Sequence, residues 1–231
     1  PVPDAYGGSG ADATTTMVAL EALGYPVFVK PAHLGSSIGI TRVSDKDELE
    51  NAIEVALHYD DKALVEEGVQ NLIEVTVPVM GNSSPRVAMV EQPLTSPEDF
   101  FDFETKYMQG GKKGKSDGGK NAKLGAQGYS KIPADISKDL YKKSEETALG
   151  VYKAIGCTGI ARVDLLIDSK ANKIYFNEIN PLPGSLYSHN WQKAGVSSVQ
   201  LVTNLVDLAF ERYEQKQHTN TTFSTNYLKQ F

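Results

Sequence analysis

Two apolar segments near the C-terminal end, ARVDLLID and KIYFNEIN, carry the side chains best suited to chemistry. Alternate residues of an extended segment share a face, so Arg162 lies beside Asp164, and Phe176 lies with Glu178 and Asn180. If the residues between the segments close an antiparallel hairpin, the register that keeps these faces in step places Asp164 opposite Glu178 and Arg162 opposite Asn180. The pattern therefore predicts one polar cluster on one face of a hairpin.

This cluster needs a positive charge, because two facing carboxylates about 5 Å apart repel each other. The repulsion is roughly 3 kcal/mol at an effective dielectric constant of about 20. Arg162 could supply the charge, which makes a structural salt bridge one interpretation. The alternative is a metal site, since Asp, Glu and Asn offer only hard oxygen ligands, which suit phosphate-bound magnesium better than zinc.

A second candidate site is the segment FVKPAHLGSSIGI, which runs from Phe28 to Ile40. Its small residues allow a ligand to approach the main chain closely, and successive N–H groups in a turn form a concavity that binds anions. Lys30 would add a point charge nearby. The segment predicts either a phosphate-binding loop or a plain turn between two strands.

The loop NPLPGSLYSHNW follows the polar hairpin and contains two stiffening prolines. The N–H group of Gly184 could face a developing oxyanion. Tyr187, Ser188 and His189 are predicted to be exposed polar residues, and no acidic residue is evidently placed to orient His189. We therefore interpret His189 as a surface or substrate contact rather than a general base. Cys157, outside this loop, has no basic neighbour in the sequence to lower its pKa, and we interpret it as a small buried residue.

A mixture of helices and short strands must position these side chains, which predicts an α+β fold. Apolar residues at helical spacing predict helices at 13–23, from Ser44 to about His58, at 137–155 and at 198–213. Strands are predicted at 26–43 (two strands around a loop), 62–66, 73–80, 159–168 and 173–179.

The sequence also predicts a helix cap, a long loop and the buried face of the last helix. Ser44 is predicted to cap its helix in a capping box with Asp47. The glycine- and lysine-rich residues 106–131 are predicted to form a long mobile loop. The last helix is predicted to turn five residues inward: Leu201, Val202, Leu205, Leu208 and Ala209.

Composition narrows the classes of protein to consider. The 231 residues have a net charge of −6, which argues against a general nucleic-acid binder. No run of 18 apolar residues is present, so no membrane partner is expected. The single cysteine forms no internal disulfide or thiolate zinc site, which favours a reducing, cytoplasmic location. Because the chain starts without methionine or a signal-like segment, we expect a fragment of a longer protein.

Six segments resemble, in order and spacing, the ATP-grasp part of D-alanine:D-alanine ligases: FVKPAHLGSSIGI, ALVEEGV, IEVTVPVMGN, FETKY, ARVDLLID and NEINPLPG. The resemblance extends from about residue 1 to residue 213. It implies an ATP-grasp fold, in which two α+β subdomains hold ATP between them. Residues 1–68 would form the first subdomain and residues 69–231 the second, with residues 106–131 as a lid.

The resemblance also implies roles for individual residues. The nucleotide contacts are Lys30, Ser36, Ser37 and Lys106 for phosphate, Glu66, Glu67 and Val69 for adenine, Glu74 for ribose, and Asn177. The ligands of two magnesium or manganese ions are Asp164, Glu178 and Asn180. Arg162 and Lys106 support phosphoryl transfer, and the Gly184 N–H binds the oxyanion. The second substrate lies along Gly184, Ser185, Tyr187 and Ser188.

The implied reaction activates the carboxylate of one D-amino acid with ATP and joins it to the amine of a second, as in peptidoglycan precursor synthesis. The family also implies a homodimer and a further N-terminal domain, so this chain alone is expected to be catalytically incomplete. The run from Ser185 to His189 departs from the family by about one position. The acceptor therefore stays open between D-alanine, D-serine, D-lactate and other amino acids, and a nucleotide-binding fragment without turnover is the alternative from another class.

Overall fold

The computed structural model describes residues 23–35, 37–94 and 130–217. These residues belong to two compact units, and the chain passes from the first to the second after Gln70. The second unit contains Asn71–Pro93 and the described residues that follow Tyr129. Most of the helix predicted at 13–23, and the predicted loop up to residue 129, lie outside the described residues.

The first unit is a three-stranded antiparallel sheet covered by one helix. Its strands are β1 (Val27–Pro31), β2 (Thr41–Val43) and β3 (Ala63–Glu67), in the order β2-β1-β3. Helix α1 (Lys46–Tyr59) packs against the sheet. The fully buried side chains of this core are Val27, Val29, Val43, Leu49, Ala52, Ile53 and Ala56.

The cap of helix α1 differs by one residue from the sequence prediction. Asp45, not Ser44, is the N-cap, and its carboxylate accepts from the N–H groups of Asp47 and Glu48. Glu48 in turn accepts from the Ser44 N–H at 2.8 Å. An aspartate cap satisfies two otherwise unpaired amide groups and also complements the positive end of the helix dipole.

The second unit is built on a four-stranded antiparallel sheet. Its strands are β4 (Leu72–Met80), β5 (Arg86–Val87), β8 (Ile160–Asp168) and β9 (Lys173–Asn180), in the order β5-β4-β8-β9. A separate short pair joins β6 (Gln92–Pro93) to β7 (Ser130–Lys131). The helices are α2 (Lys138–Ala154), α3 (Ser188–Lys193) and α4 (Ser198–Gln217).

One face of this sheet is apolar and packs beneath helix α2. Val75, Val77, Val163 and Leu165 alternate along β4 and β8, as expected for strands with one buried face. The hydroxyl of the buried Tyr152 on α2 donates to the Gly81 carbonyl at 2.7 Å. The opposite face of β8 is therefore left to carry polar side chains.

Helix α4 buries fewer residues than its sequence pattern predicts. Leu201 is buried, and Leu205 and Leu208 are partly buried against the same cluster, whereas Val202 and Ala209 are exposed. Successive helical residues are about 100° apart, so a narrow contact stripe leaves their neighbours outside. Among the described residues, no helix has the length and apolar character needed to cross a membrane.

Candidate active site

The polar hairpin is the best-defined candidate site of the second unit. Strands β8 and β9 pair antiparallel, with Asp164 opposite Glu178 and Arg162 opposite Asn180, which is the predicted register. Directly paired residues point to the same face of a sheet. The sequence prediction of a single polar cluster on this face is therefore confirmed.

The regular alternation predicted along β9 is wrong at one point. The register shifts between Asp164 and Leu165, because Leu165 pairs with Phe176 while Asp164 pairs with Glu178, and Asn177 is the extra residue. A bulge of this kind re-aims the side chains that follow it. Phe176 consequently shares the face of Leu165, whereas Glu178 keeps its predicted position opposite Asp164.

Arg162 joins both carboxylates of the cluster. Its Nε atom donates to the Asp164 oxygens at 2.7 and 2.9 Å, and its Nη2 atom donates to both Asp164 and Glu178, the latter at 3.3 Å. The Asp164 side chain is 15% exposed, whereas that of Glu178 is 58% exposed. The cluster is thus a salt bridge with one acidic oxygen pair still open to solvent.

The charges of this cluster are unevenly compensated. Burial raises the pKa of Asp164 to about 6, despite the opposing effect of Arg162, and the charge of Glu178 adds to the increase. Burial alone would lower the pKa of Arg162, but its hydrogen bonds and ion pair with Asp164 raise it overall. A second cation beside Asp164 and Glu178 would therefore be favourable.

The loop after the hairpin begins with a left-handed turn. Gly184–Tyr187 form a short 3-10 helix, and its last three residues, Ser185, Leu186 and Tyr187, have φ values of 52°, 52° and 50°. Gly184 and Ser185 are exposed, and Ser188 begins helix α3. The Asn180 carboxamide oxygen accepts from the Leu182 N–H at 3.2 Å, which ties the loop to the end of β9.

Two aromatic side chains connect this loop to the polar cluster. The guanidinium carbon of Arg162 lies 5.6 Å from the centre of the Tyr187 ring, and that ring lies 5.2 Å from the His189 ring. Burial raises the pKa of Tyr187. The structure therefore brings Arg162, Asp164, Glu178 and Tyr187 into one site.

Sequence reasoning missed the acidic partner of His189. The Oε2 atom of Glu91 lies 3.0 Å from the Nε2 atom of His189, within hydrogen-bonding distance. The two residues are separated by 98 positions in the sequence. No local pattern around Glu91 could have revealed this contact. Cys157, predicted to be buried, is of intermediate exposure, and partial burial raises the pKa of its thiol.

The first unit contains the described residues of the glycine–serine segment. Lys30 forms an ion pair with Glu66 on the neighbouring strand, at 2.7 Å, so two predicted nucleotide contacts lie together. Ser37 has a φ of 60°, and Gly39, at 72°, is so close to Pro31 that a Cβ atom would clash. Ser36 lies outside the described residues, as does Lys106.

The remaining predicted nucleotide contacts lie in strands of the two units or directly after them. Glu67 ends β3 and is exposed, and Val69 follows it with partial exposure, whereas Glu74 lies in β4 of the second unit. Gly68, which stands between Glu67 and Val69, is buried, and its N–H group donates to the Pro26 carbonyl at 2.8 Å. Asn177 is partly exposed at the bulge of β9.

A third polar cluster joins His33 to the end of helix α1. Asp60 accepts from the His33 N–H at 2.6 Å and lies 3.0 Å from its Nδ1 atom, and Asp61 is nearby. His33 is exposed, and these contacts lower the pKa of Asp60. The cluster ties His33, within the glycine–serine segment, to Asp60, the residue that follows helix α1.

Comparisons with known proteins point to one family. The family profile described as "D-ala D-ala ligase C-terminus" matches residues 9–207. A D-alanine--D-alanine ligase of Thermosipho africanus is 39% identical over 208 residues, which cover 89% of this chain and 52% of that protein. The corresponding protein of Thermoanaerobacter sp. is 36% identical over 223 residues, covering 94% and 57%.

Solved structures give the same result. The VanG D-Ala:D-Ser ligase of Enterococcus faecalis superposes with a TM-score of 0.67 at 34% identity, over 84% of this chain and 53% of that one. A D-alanine-D-alanine ligase of Coxiella burnetii gives a TM-score of 0.66 at 23% identity, over 90% and 52%. The predicted α+β fold of the ATP-grasp type is confirmed, and the chain spans about half the length of the relatives it matches.

Proposed function

Because the chain belongs to the family of D-ala D-ala ligase C-termini, we propose that it is the ATP-grasp part of an ATP-dependent ligase that joins two D-amino acids. D-alanine is the proposed donor and acceptor, as the names of the relatives suggest. The proposal includes a role in peptidoglycan precursor synthesis, a cytoplasmic location and a homodimer of the full-length protein.

The observation that carries this proposal is the bulged hairpin, which sets Asp164 opposite Glu178 with Arg162 beside both. A salt bridge that served stability alone would be expected to hold the pKa of the buried carboxyl below its ordinary value, yet burial raises the pKa of Asp164 to about 6. Perturbed carboxylates of this kind are concentrated at functional sites.

The donor set fits magnesium. Asp164, Glu178 and Asn180 offer carboxylate and amide oxygens on one face of the sheet, and Glu178 is open to solvent. We propose these three as the ligands of the magnesium ions that accompany ATP. Bound magnesium would supply charge neutralisation for the transferring phosphoryl group.

The other residues of the site would act on ATP and the amino acids. When ATP binds, the ammonium group of Lys30 would leave its ion pair with Glu66 and contact phosphate instead. Ser36, Ser37 and Lys106 are the other proposed phosphate contacts. Glu66, Glu67 and Val69 would bind adenine, Glu74 would bind ribose, and Asn177 would be a further nucleotide contact. These assignments rest on the family motif.

In the proposed reaction the donor carboxylate attacks the γ-phosphorus of ATP, forming an acyl phosphate and ADP. The neutral amine of the acceptor then attacks the acyl carbon, and the C–N bond forms as the bond from that carbon to the phosphate oxygen breaks. Inorganic phosphate leaves with the proton that the amine gives up. Arg162 would stabilise the charge that develops, and the Gly184 N–H, which is exposed at the start of the loop, would donate to the oxyanion. Residues 106–131 would exclude water from the acyl phosphate.

The test is ADP release by the full-length protein, measured with a coupled assay in the presence of magnesium and D-alanine. We expect release to depend on the amino acid and to fall on the order of 100-fold in Asp164→Asn. Glu146→Gln, an exposed carboxylate on helix α2, is the control and should leave the rate unchanged. Absence of amino-acid-dependent release across a panel of D-amino acids would contradict the proposal.

D-serine is the second candidate acceptor. The observation in its favour is the 34% identity to a D-Ala:D-Ser ligase, together with the altered run from Ser185 to His189. A panel in which D-alanine is the donor and D-serine, D-lactate or D-alanine the acceptor separates these possibilities by product mass. A nucleotide-binding fragment without turnover would bind magnesium-ATP in calorimetry but release no ADP with any pair.

A further inference from the structure

We propose that Glu91 is a positioning residue for the substrate loop, residues 184–189, and that it acts through His189. This inference rests on the proposed function, because it concerns the same reaction. None of the motifs that identify the family contains Glu91. Its place in the sheet, its burial and its contact with the loop all support the role.

Glu91 belongs to the same cross-strand row as the polar hairpin. Its backbone exchanges two hydrogen bonds with Thr76 on β4, at 2.8 and 3.0 Å, and Thr76 is paired with Asp164, which is paired with Glu178. Paired residues of antiparallel strands share a face, and neighbouring strands are about 4.8 Å apart. The Glu91 side chain therefore projects from the face of Asp164, roughly 10 Å from it.

The burial of Glu91 requires a partner for its carboxylate. The residue is only 7% exposed, and an unpaired buried carboxylate is strongly unfavourable. His189 supplies that partner through Nε2, at 3.0 Å. The other ring nitrogen of His189, Nδ1, is buried with no hydrogen-bond partner among the described residues. The orientation of the ring thus depends on Glu91 for its one polar contact in the described structure.

The loop needs such an anchor because its backbone is strained. Three consecutive non-glycine residues, from Ser185 to Tyr187, have left-handed φ values, which are unfavourable for residues that carry a Cβ atom. The strain persists only if the flanks are held. The residues just after the turn are fastened to the segment before β6: His189 to Glu91, and Asn190 to the Met89 carbonyl at 2.9 Å.

The anchor is transmitted to the reacting groups through ring contacts. His189 lies against Tyr187, with ring centres 5.2 Å apart, and Tyr187 lies 5.6 Å from the Arg162 guanidinium carbon. The loop also presents the exposed Gly184 N–H. Loss of the Glu91 contact should therefore impair the end of the site that receives the second amino acid. The proposed adenine contacts lie in β3 (Glu66 and Glu67) or just after it (Val69) and should be little affected.

The test compares Glu91→Gln and Glu91→Ala with the unsubstituted full-length protein by steady-state kinetics. We expect KM for the acceptor amino acid to rise about 10-fold or more, as for a lost charged hydrogen bond, and KM for ATP to change less than about 2-fold. His189→Ala should reproduce this effect, and adding it to Glu91→Ala should cause little further loss. His189→Gln keeps a donor near the position of Nε2 and should retain more acceptor affinity than His189→Ala.

Glu145→Gln is the matched control, since this partly buried carboxylate lies on helix α2, which packs on the apolar face of the sheet and not on the face of Asp164. Equal changes in both KM values, or a lower thermal midpoint with unchanged kinetics, would show a merely structural role and overturn the inference. Glu91→Gln conserves shape, so it remains informative if Glu91→Ala fails to fold. If the unsubstituted protein releases no ADP with any amino acid, the proposed function fails, and this inference fails with it.

Discussion

Asp164 shows how burial can make the ionisation of a single side chain oppose folding. Its side chain is 15% exposed and is paired with Arg162, yet burial and Glu178 raise its pKa to about 6. A raised carboxyl pKa means that ionisation opposes folding. The protonated Asp164 carboxyl therefore stabilises the fold. This contribution is complete below the unfolded-state pKa of 3.8 and is lost as the pH rises through the folded-state pKa of about 6.

Asp164→Asn should therefore gain stability relative to the unsubstituted protein as the pH rises from 4 to 8. The gain is at most about 3 kcal/mol, from a pKa change of about two units at 1.36 kcal/mol each. Thermal unfolding without magnesium or nucleotide measures it. Asp139→Asn should show the opposite trend in a lower range, losing stability relative to the unsubstituted protein as the pH rises towards about 4, because Lys143 lowers the pKa of Asp139 from its ordinary value of 3.8. A stability difference for Asp164→Asn that is independent of pH would contradict this prediction.

At the scale of the element, the start of helix α1 is held by side chains one residue later than the sequence suggested. Asp45 accepts from two amide groups, at 3.0 and 3.2 Å, whereas the Ser44 hydroxyl accepts from Arg42 at 2.9 Å. Aspartate and serine are both good N-cap residues, so their adjacency leaves the choice to geometry. Here the backbone places Asp45 at the cap.

Asp45→Ala should lower the free energy of unfolding by about 1 kcal/mol, because two N–H groups lose their acceptor. Ser44→Ala should cost less, since its backbone N–H keeps the bond to Glu48. Denaturant-induced unfolding of both variants gives the comparison. A larger effect for Ser44→Ala would restore the capping arrangement predicted from sequence.

At the scale of the whole molecule, the described residues form three hydrophobic clusters, of which one lies in the first unit and two lie in the second. The two largest clusters lie in different units. Val29 is fully buried between β1 and helix α1, and Val163 is fully buried between β8 and helix α2. No buried residue belongs to both clusters. Local stability should therefore be set separately in each unit.

Hydrogen exchange can test this separation with Val29→Ala and Val163→Ala. Each deletes two buried methyl groups and should destabilise its own core by roughly 2 kcal/mol. Val29→Ala should speed exchange in β1 and β3 while leaving β4 and β8 protected, and Val163→Ala should do the reverse. Equal acceleration in both units by either variant would show one cooperative unit.

Several features were predictable because they depend on neighbours in the sequence. The alternation of ARVDLLID and a short connection to the next strand predict the pairing of Asp164 with Glu178. Six ordered motifs identified the family and its fold, which the comparisons confirm. The segment bounds of helix α2 were also close, since Ser137 is an N-cap whose hydroxyl accepts from the Leu140 N–H.

Other features were decided only by the tertiary structure. The bulge at Asn177 interrupts the regular alternation that the sequence predicts for β9. Asn177 is left unpaired, so that Phe176 pairs with Leu165 while Glu178 pairs with Asp164. The Glu91–His189 contact joins residues 98 positions apart. Periodicity reports which residues share a local face, but it carries no information about which distant segment packs there. Burial, which raises the pKa of Asp164 and leaves the Glu91 carboxylate in need of a polar partner, arises from that packing and appears only in the folded chain.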